Sequence, residues 1–305
     1  MQINIKIAII IPYFGKWPYW IDLFMYSCRQ NEDVDFFFYT DCDIPDVISG
    51  ARNVHFFSVS FDDYCQMVGE KLGITFHPDN PYKLCDLKPF YGFIHHDMLE
   101  EGKYDFWGYG DVDLVWGDIR KFCTNSILER NDVFSTHADR VSGHFALIRN
   151  TEKYRDLCFE IPQWKDKLED KKNFALDEVD FSILLYGKIV KLWWKIHKLL
   201  MQNPHINEWT IYQRFLNIVN KFFLPRKLYF VEQNTTPFPD AISQKKVLYS
   251  YMEGKMINVL SGSEIMYLHF LFLKKIWKEK ECFKNYEFDN VFFSMDGIIC
   301  NNNDS

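Results

Sequence analysis

Through its first half the chain alternates wholly apolar runs with amphipathic stretches. Lys6 to Ile11 is a continuous Ile/Ala run that stops at Pro12-Tyr13-Phe14-Gly15. A run apolar on both faces predicts a central parallel strand. Trp20 to Cys28 places Ile21, Phe24 and Met25 on one helical stripe. Val34 to Thr40 predicts a second strand, closed by Asp41-Cys42-Asp43, and Val54 to Val59 a third. Phe61 to Leu72 and Leu87 to Glu101 predict helices, and Phe106 to Tyr109 a strand that runs into Asp111 and Asp113. Val133 to Ser135 and Ala146 to Arg149 predict later strands. Strands alternating with helices predict an α/β sheet covered by helices. Ligands of such sheets collect at strand carboxyl ends, where Tyr13, Asp41 and Asp111 all fall.

The second half is less regular. Leu176 to Tyr186 predicts a helix whose acidic start, Asp177-Glu178, suits the helix dipole. Ile189 to Leu200 interleaves Lys191, Lys195 and Lys198 with Trp193 and Trp194. This pattern predicts either an ordinary surface helix or an amphipathic one lying on a membrane face or gripping an acidic partner. The expected organisation is an α/β core over residues 1–187 joined closely to an irregular, mostly helical part over 188–305.

Composition narrows the classes. Of 305 residues, 48% are hydrophobic and 18% aromatic, enough for a packed core and against disorder. A net charge of −7 argues against nucleic acid as the main partner. The eight cysteines are scattered without a Cys-x-x-Cys pair, which predicts reduced thiols and a cytoplasmic compartment. The first apolar run is too short to span a bilayer and lacks signal-peptide flanks, and no stretch reads as a transmembrane helix. The compartment expected is the cytoplasm, with contact at the inner membrane face through residues 189–200.

The chemistry concentrates at Gly110-Asp111-Val112-Asp113. Two carboxylates bracketing one residue at a strand end can hold a hard divalent cation. A solvated turn is the plain alternative, but apolar segments flank the pair, and an unpaired charge there is costly.

Three stretches, Lys6 to Gly15, Phe36 to Asp41 and Gly110 to Asp118, resemble in order three parts of a GT-A-fold glycosyltransferase that uses nucleotide sugars. These are the strand and Pro-containing loop, the polar strand end on the nucleoside, and the Asp-x-Asp motif. Tyr82 to Gly92 is similar to the Ser-Asp-x-x-Arg helix of such enzymes. Lys-x-x-Asp-x-Lys-Pro and Gly-Asp-x-Asp-x-x-x-Gly-Asp-Ile are shared with a bacterial family of glycosyltransferase-like proteins. The resemblance extends from Lys6 to Gly187 and then rests on Tyr267 to Lys275.

The resemblance implies a GT-A-like, Rossmann-type mixed sheet flanked by helices, and manganese or magnesium on Asp111, Asp113 and His269. It puts Pro12, Tyr13, Phe14, Thr40, Asp41, Asp86, Lys88, Asp111, Lys274 and Lys275 on the donor. It puts His144 near the acceptor, with Asp177 or Glu178 at the reaction centre. Each has a plainer reading: His269 as a core histidine, Asp86 and Asp177-Glu178 as helix-start charges, Gly143 as a turn. Asp118 reads better as a helix cap than as a ligand.

The implied activity is metal-dependent transfer of a hexose from a nucleoside diphosphate sugar to a glycan or lipid-linked glycan, in surface polysaccharide biosynthesis. The C-terminal His hints at retention of configuration. The alternatives are a nucleotidyl or phosphoryl transferase, or a non-catalytic glycan-binding module on the same fold. The first predicts a Gly-rich phosphate loop, and neither Gly-x-x-x-x-Gly-Lys-Ser/Thr nor Gly-x-Gly-x-x-Gly occurs.

Overall fold

The structure is a computed structural model that describes residues 4–100, 102–187, 191, 194–195, 227–233, 235–237, 248–277, 288 and 290–300. Its strands are β1 (Ile7–Pro12), β2 (Val34–Thr40), β3 (Val54–Ser58), β4 (Phe106–Gly110), β5 (Leu114–Trp116), β6 (Val133–Ser135) and β7 (Phe145–Arg149). They continue with β8 (Leu228–Phe230), β9 (Tyr249–Met252), β10 (Lys255–Asn258), β11 (Ser263–Ile265), β12 (Tyr267–His269), β13 (Asn290–Ser294) and β14 (Gly297–Cys300). Seven strands form a mixed sheet in the order β3-β2-β1-β4-β7-β6-β8, flanked by helices, which is the α/β class expected. By their internal contacts the residues fall into two interleaved units.

The first unit comprises Met1–Ile10, Val59–Tyr109 and Asn125–Glu232. In it β1 lies parallel to β4, with Ile7 opposite Phe106 and Ile10 opposite Tyr109. Strand β6 runs antiparallel to β7 and parallel to β8. Apolar chains close this core, with Trp107, Tyr64, Phe90 and Ile94 fully buried. The helix Phe61–Leu72 starts at Ser60, whose Oγ accepts the Asp63 N–H, and stops at Gly73 in the left-handed region.

The helix expected over Leu87 to Glu101 is instead a 3-10 segment, Pro81–Phe90, followed by two single turns, Tyr91–Ile94 and His96–Leu99. Pro89 supplies no N–H, so an α ladder cannot run through it. The helix expected from Leu176 begins only at Asp180. The buried Asp86 carboxylate accepts the N–H groups of Phe174 (3.0 Å) and Leu176 (3.1 Å), which commits them outside a helix.

The second unit comprises Ile11–Ser58, Gly110–Thr124 and Gln233–Ser305. It holds the parallel pair β2 and β3, the helix Ile21–Arg29, an antiparallel sheet in the order β11-β10-β9-β13-β14, and the two-stranded ladder β12-β5. The expectation of a mostly helical C-terminal part falls largely on residues 188–226, most of which lie outside the described residues. Among the described residues beyond 227 the regular elements are strands and one 3-10 turn, and in β9 Tyr249, Ser250 and Tyr251 are all buried. Gly117 lets β5 end against that sheet, because a Cβ there would sit 2.9 Å from the Ile265 carbonyl oxygen and the Met256 nitrogen. Asn31 fastens the same corner: Nδ2 donates to the carbonyls of Ser27 and Gly117, both at 2.9 Å, and Oδ1 accepts the Ile119 N–H.

Cys28, Cys42, Cys65, Cys123 and Cys158 carry free thiols. No described helix is long and apolar enough to cross a membrane. Most of the stretch 189–200 lies outside the described residues; within it Lys191, Trp194 and Lys195 have helical backbone.

Candidate metal centre and carboxylate cluster

In the second unit the apolar strand β5 follows directly on Asp111-Val112-Asp113 and pairs antiparallel with β12. Tyr267 faces Trp116, Leu268 faces Val115 and His269 faces Leu114. This register carries the imidazole of His269 to the end of the ladder where Asp113 stands. Beyond the ladder the Phe270 N–H donates to the Asp113 carbonyl (3.1 Å). Ligand atoms of Asp111, Asp113 and His269 all lie within 4.8 Å of one another.

His269 and Asp113 are each 4% exposed. His269 Nδ1 lies 2.9 Å from Thr236 Oγ1, and Nε2 lies 3.4 Å from Asp113 Oδ2. A histidine ligand orients its coordinating nitrogen in this way, through a hydrogen bond at the other one. Lys274 Nζ donates to Asp113 Oδ2 at 2.6 Å. Burial raises the Asp113 pKa, but His269 and Lys274 outweigh it and hold the carboxyl well below the usual range. Two carboxylates and one imidazole are a donor set able to hold a divalent metal ion.

Of the two lysines singled out, Lys274 reaches the centre, whereas Lys275 is exposed with its ammonium 5.7 Å from the Phe272 ring. Asp118 is the helix cap that the sequence suggested, its Oδ1 accepting the Lys121 N–H at 3.0 Å. Trp20 was not singled out, yet its Nε1 donates to the Val112 carbonyl (2.9 Å) and its ring meets Phe270 edge-on at 5.2 Å. One side chain therefore braces both ligand-bearing segments.

The strand-end residues of this unit form a joined loop pair. The Tyr13 N–H donates to the Tyr39 carbonyl (2.9 Å), and the Gly15 N–H donates to Asp41 Oδ1 (2.8 Å). Tyr13 and Trp17 stack at 4.7 Å with planes 14° apart. Burial and then Cys42 raise the Tyr13 pKa. Phe14 and Thr40 are buried, while Pro12 and Tyr13 are half-buried.

In the first unit Lys88, His144, Asp177 and Glu178 gather around Gly143. Lys88 Nζ donates to the Gly143 carbonyl (2.5 Å), lies 3.8 Å from Asp177 Oδ2 and sits 5.5 Å from the centre of the Tyr109 ring. The Gly143 N–H donates to Glu178 Oε1 (3.3 Å). A Cβ on Gly143 would sit 2.9 Å from Glu178 Oε1 and 3.1 Å from Asp177 Oδ2, so glycine keeps both carboxylates close. Arg140, which the sequence reading passed over, brings Nε to 3.7 Å from Glu178 Oε1. His144 is buried, with a ring nitrogen 3.2 Å from Ser142 Oγ.

Asp86 departs from the ligand-facing role expected of it. It is fully buried and bound by Lys83 Nζ (2.9 Å) and by the backbone of residues 174 and 176, so it anchors the segment that carries Asp177.

Among solved structures the chain is similar to a galactosyltransferase, LgtC, in complex with donor and acceptor sugar analogues. The match is 14% identical, covers 57% of this chain and 71% of that one, and has a TM-score of 0.34. It is also similar to the glycosyltransferase GlyE of Streptococcus pneumoniae TIGR4, at 17% identity, 75% and 55% coverage and a TM-score of 0.35. A third is mouse xyloside xylosyltransferase 1, at 11% identity, 55% and 75% coverage and a TM-score of 0.34. No curated protein matches the sequence. A family of unknown function, DUF6625, matches residues 9–301, and the chain belongs to that family.

Proposed function

We propose that the chain is a metal-dependent glycosyltransferase. It moves a hexose from a nucleoside diphosphate sugar to a glycan or lipid-linked glycan, in surface polysaccharide biosynthesis at the cytoplasmic membrane face. The observation that carries this reading is the convergence of Asp111, Asp113 and His269 within 4.8 Å, with the Lys274 ammonium against Asp113.

Manganese or magnesium, when bound there, supplies Lewis-acid neutralisation of the departing diphosphate. Asp111 and Asp113 offer oxygens and His269 offers Nε2, while Lys274 adds a positive charge beside diphosphate oxygens. Pro12, Tyr13, Phe14, Thr40 and Asp41, at the ends of β1 and β2, take the nucleoside, with the Tyr13–Trp17 stack as an aromatic surface. Around Gly143, Lys88 and Asp177 orient the sugar. Glu178, with 39% of its side chain exposed, accepts the acceptor hydroxyl proton, and His144 hydrogen-bonds an acceptor hydroxyl. The reading includes retention of the anomeric configuration, which the resemblance of the His269 segment implies.

The test is thermal denaturation with UDP- and GDP-sugars, with and without manganese. The expected result is a metal-dependent rise in melting temperature for at least one donor, lost in the variant Asp111→Asn with Asp113→Asn. A panel in which no donor raises the melt with metal removes the enzyme reading and favours a non-catalytic module. A rise with a bare nucleoside triphosphate alone favours the nucleotidyl transferase.

A further inference from the structure

In the first unit Val179, Asp180, Ile183, Lys191, Trp194 and Lys195 line an open groove of about 440 Å³. Its floor is apolar. Val179 is 39% exposed, and Ile183 and Trp194 are half-buried. The Ile183 N–H donates to the Val179 carbonyl (3.1 Å), so these two side chains stack one helical turn apart on the same face. Such surface left in water costs about 25 cal/mol per Å², which a covering ligand recovers.

The rim is positive. Lys191 and Lys195 are both exposed and both line the groove, so two ammonium groups stand at it. Among the described lining residues the one carboxylate, Asp180, lies 3.1 Å from Lys167 Nζ and is thereby balanced. An apolar floor under two ammonium groups matches a long apolar chain that ends in a phosphate. One of the lining residues, Val179, directly follows Glu178 in the sequence.

We propose that this groove binds the lipid phosphate of a lipid-linked acceptor. The hydrocarbon chain lies along Val179, Ile183 and Trp194, and Lys191 and Lys195 hold the phosphate. The proposal rests on the transferase reading only in naming the ligand an acceptor. Binding itself needs neither metal nor donor.

The test titrates the full chain with farnesyl phosphate below its micelle concentration, following tryptophan fluorescence and heat. Farnesol, inorganic phosphate, and phosphatidylcholine vesicles with and without phosphatidylglycerol are the comparison arms. Farnesyl phosphate is expected to bind, with farnesol weaker by roughly tenfold or more because it loses the charge-assisted contact, and inorganic phosphate weaker by roughly tenfold or more because it buries no apolar surface. Lys191→Gln with Lys195→Gln is expected to weaken farnesyl phosphate by roughly the same factor at an unchanged melting temperature. Ile183→Asn is expected to weaken it while leaving inorganic phosphate binding as it was.

Equal affinity for farnesol, unchanged affinity in the double lysine variant, or binding seen only to anionic vesicles overturns the proposal; the last outcome assigns the surface to the bilayer. Metal-dependent donor binding is measured in the same variants. If it persists without farnesyl phosphate binding, only the groove fails; if it is absent while farnesyl phosphate binds, only the transferase reading fails.

Discussion

The imidazole of His269 lies 3.4 Å from the Asp113 carboxylate because the β12–β5 ladder puts His269 opposite Leu114, the next residue along from Asp113. The contact spans 156 residues of sequence, yet three ladder pairs fix it. A ligand histidine and a core histidine would both be buried here, and metal affinity separates them. His269→Ala is expected to weaken manganese binding by about 10- to 100-fold, the range for disturbed ligand shells. Isothermal titration reads it directly. Intact affinity accompanied by a lower melting temperature would identify His269 as core.

Lys274 and Lys275 are adjacent but differ in surroundings. Lys274 donates to the buried Asp113, whereas Lys275 faces solvent over Phe272. Lys274→Ala is expected to cost about 1–3 kcal/mol in stability, as for a hydrogen bond to a charged buried group, and to weaken donor binding. Lys275→Ala is expected to change stability by less than about 0.5 kcal/mol and to leave the donor alone. Equal effects of the two substitutions on donor affinity would undo the distinction.

Much of this centre could be read from residue pattern. The strand before Asp111 is a strong apolar signal and appears close to its expected bounds, while the apolar run after Asp113, to which the sequence pattern assigns no element, forms β5. Trp20 could not be read that way, since its partner Val112 is 92 residues away and an indole at a helix start looks like core. Asp86 carried the right type in the right place, but burial decided its role, and burial is a tertiary property. The C-terminal strands escaped for a related reason. Runs such as Lys255-Met256-Ile257-Asn258 are only four residues long, too short for periodicity to separate strand from helix.

Gly143 tests the carboxylate cluster without removing an ionisable group. An added methyl would meet Glu178 Oε1 at 2.9 Å, Glu178 Cγ at 3.0 Å and Asp177 Oδ2 at 3.1 Å. These are side-chain ends, so the fold can yield at a cost of about 1 kcal/mol, while the carboxylates shift. Gly143→Ala is expected to keep a cooperative melt and to lose at least about tenfold in transfer rate, since sub-ångström displacement of reacting groups is costly. A wild-type rate in a folded Gly143→Ala protein would remove Asp177 and Glu178 from the reaction.

His95 gives the fold a pH dependence whose sign is fixed by burial. It is 3% exposed, with Nε2 lying 3.0 Å from the Tyr64 hydroxyl. Burial, and then the Lys71 ammonium, lower its pKa to about 3, against a smaller opposing effect of Asp97. Above pH ~6.5 the imidazole is neutral whether the chain is folded or not. Between pH ~6.5 and ~3 only the unfolded chain takes up this proton, so stability falls as pH falls, approaching about 1.4 kcal/mol per pH unit. Chemical denaturation across pH 4 to 7, on the order of the window just derived, measures that slope. His95→Phe paired with Tyr64→Phe removes the titrating group together with its hydroxyl partner. The double variant is expected to show a shallower acid slope by up to one proton, whatever its stability at neutral pH. Identical slopes in the two proteins would mean that His95 is protonated in the folded state over this range.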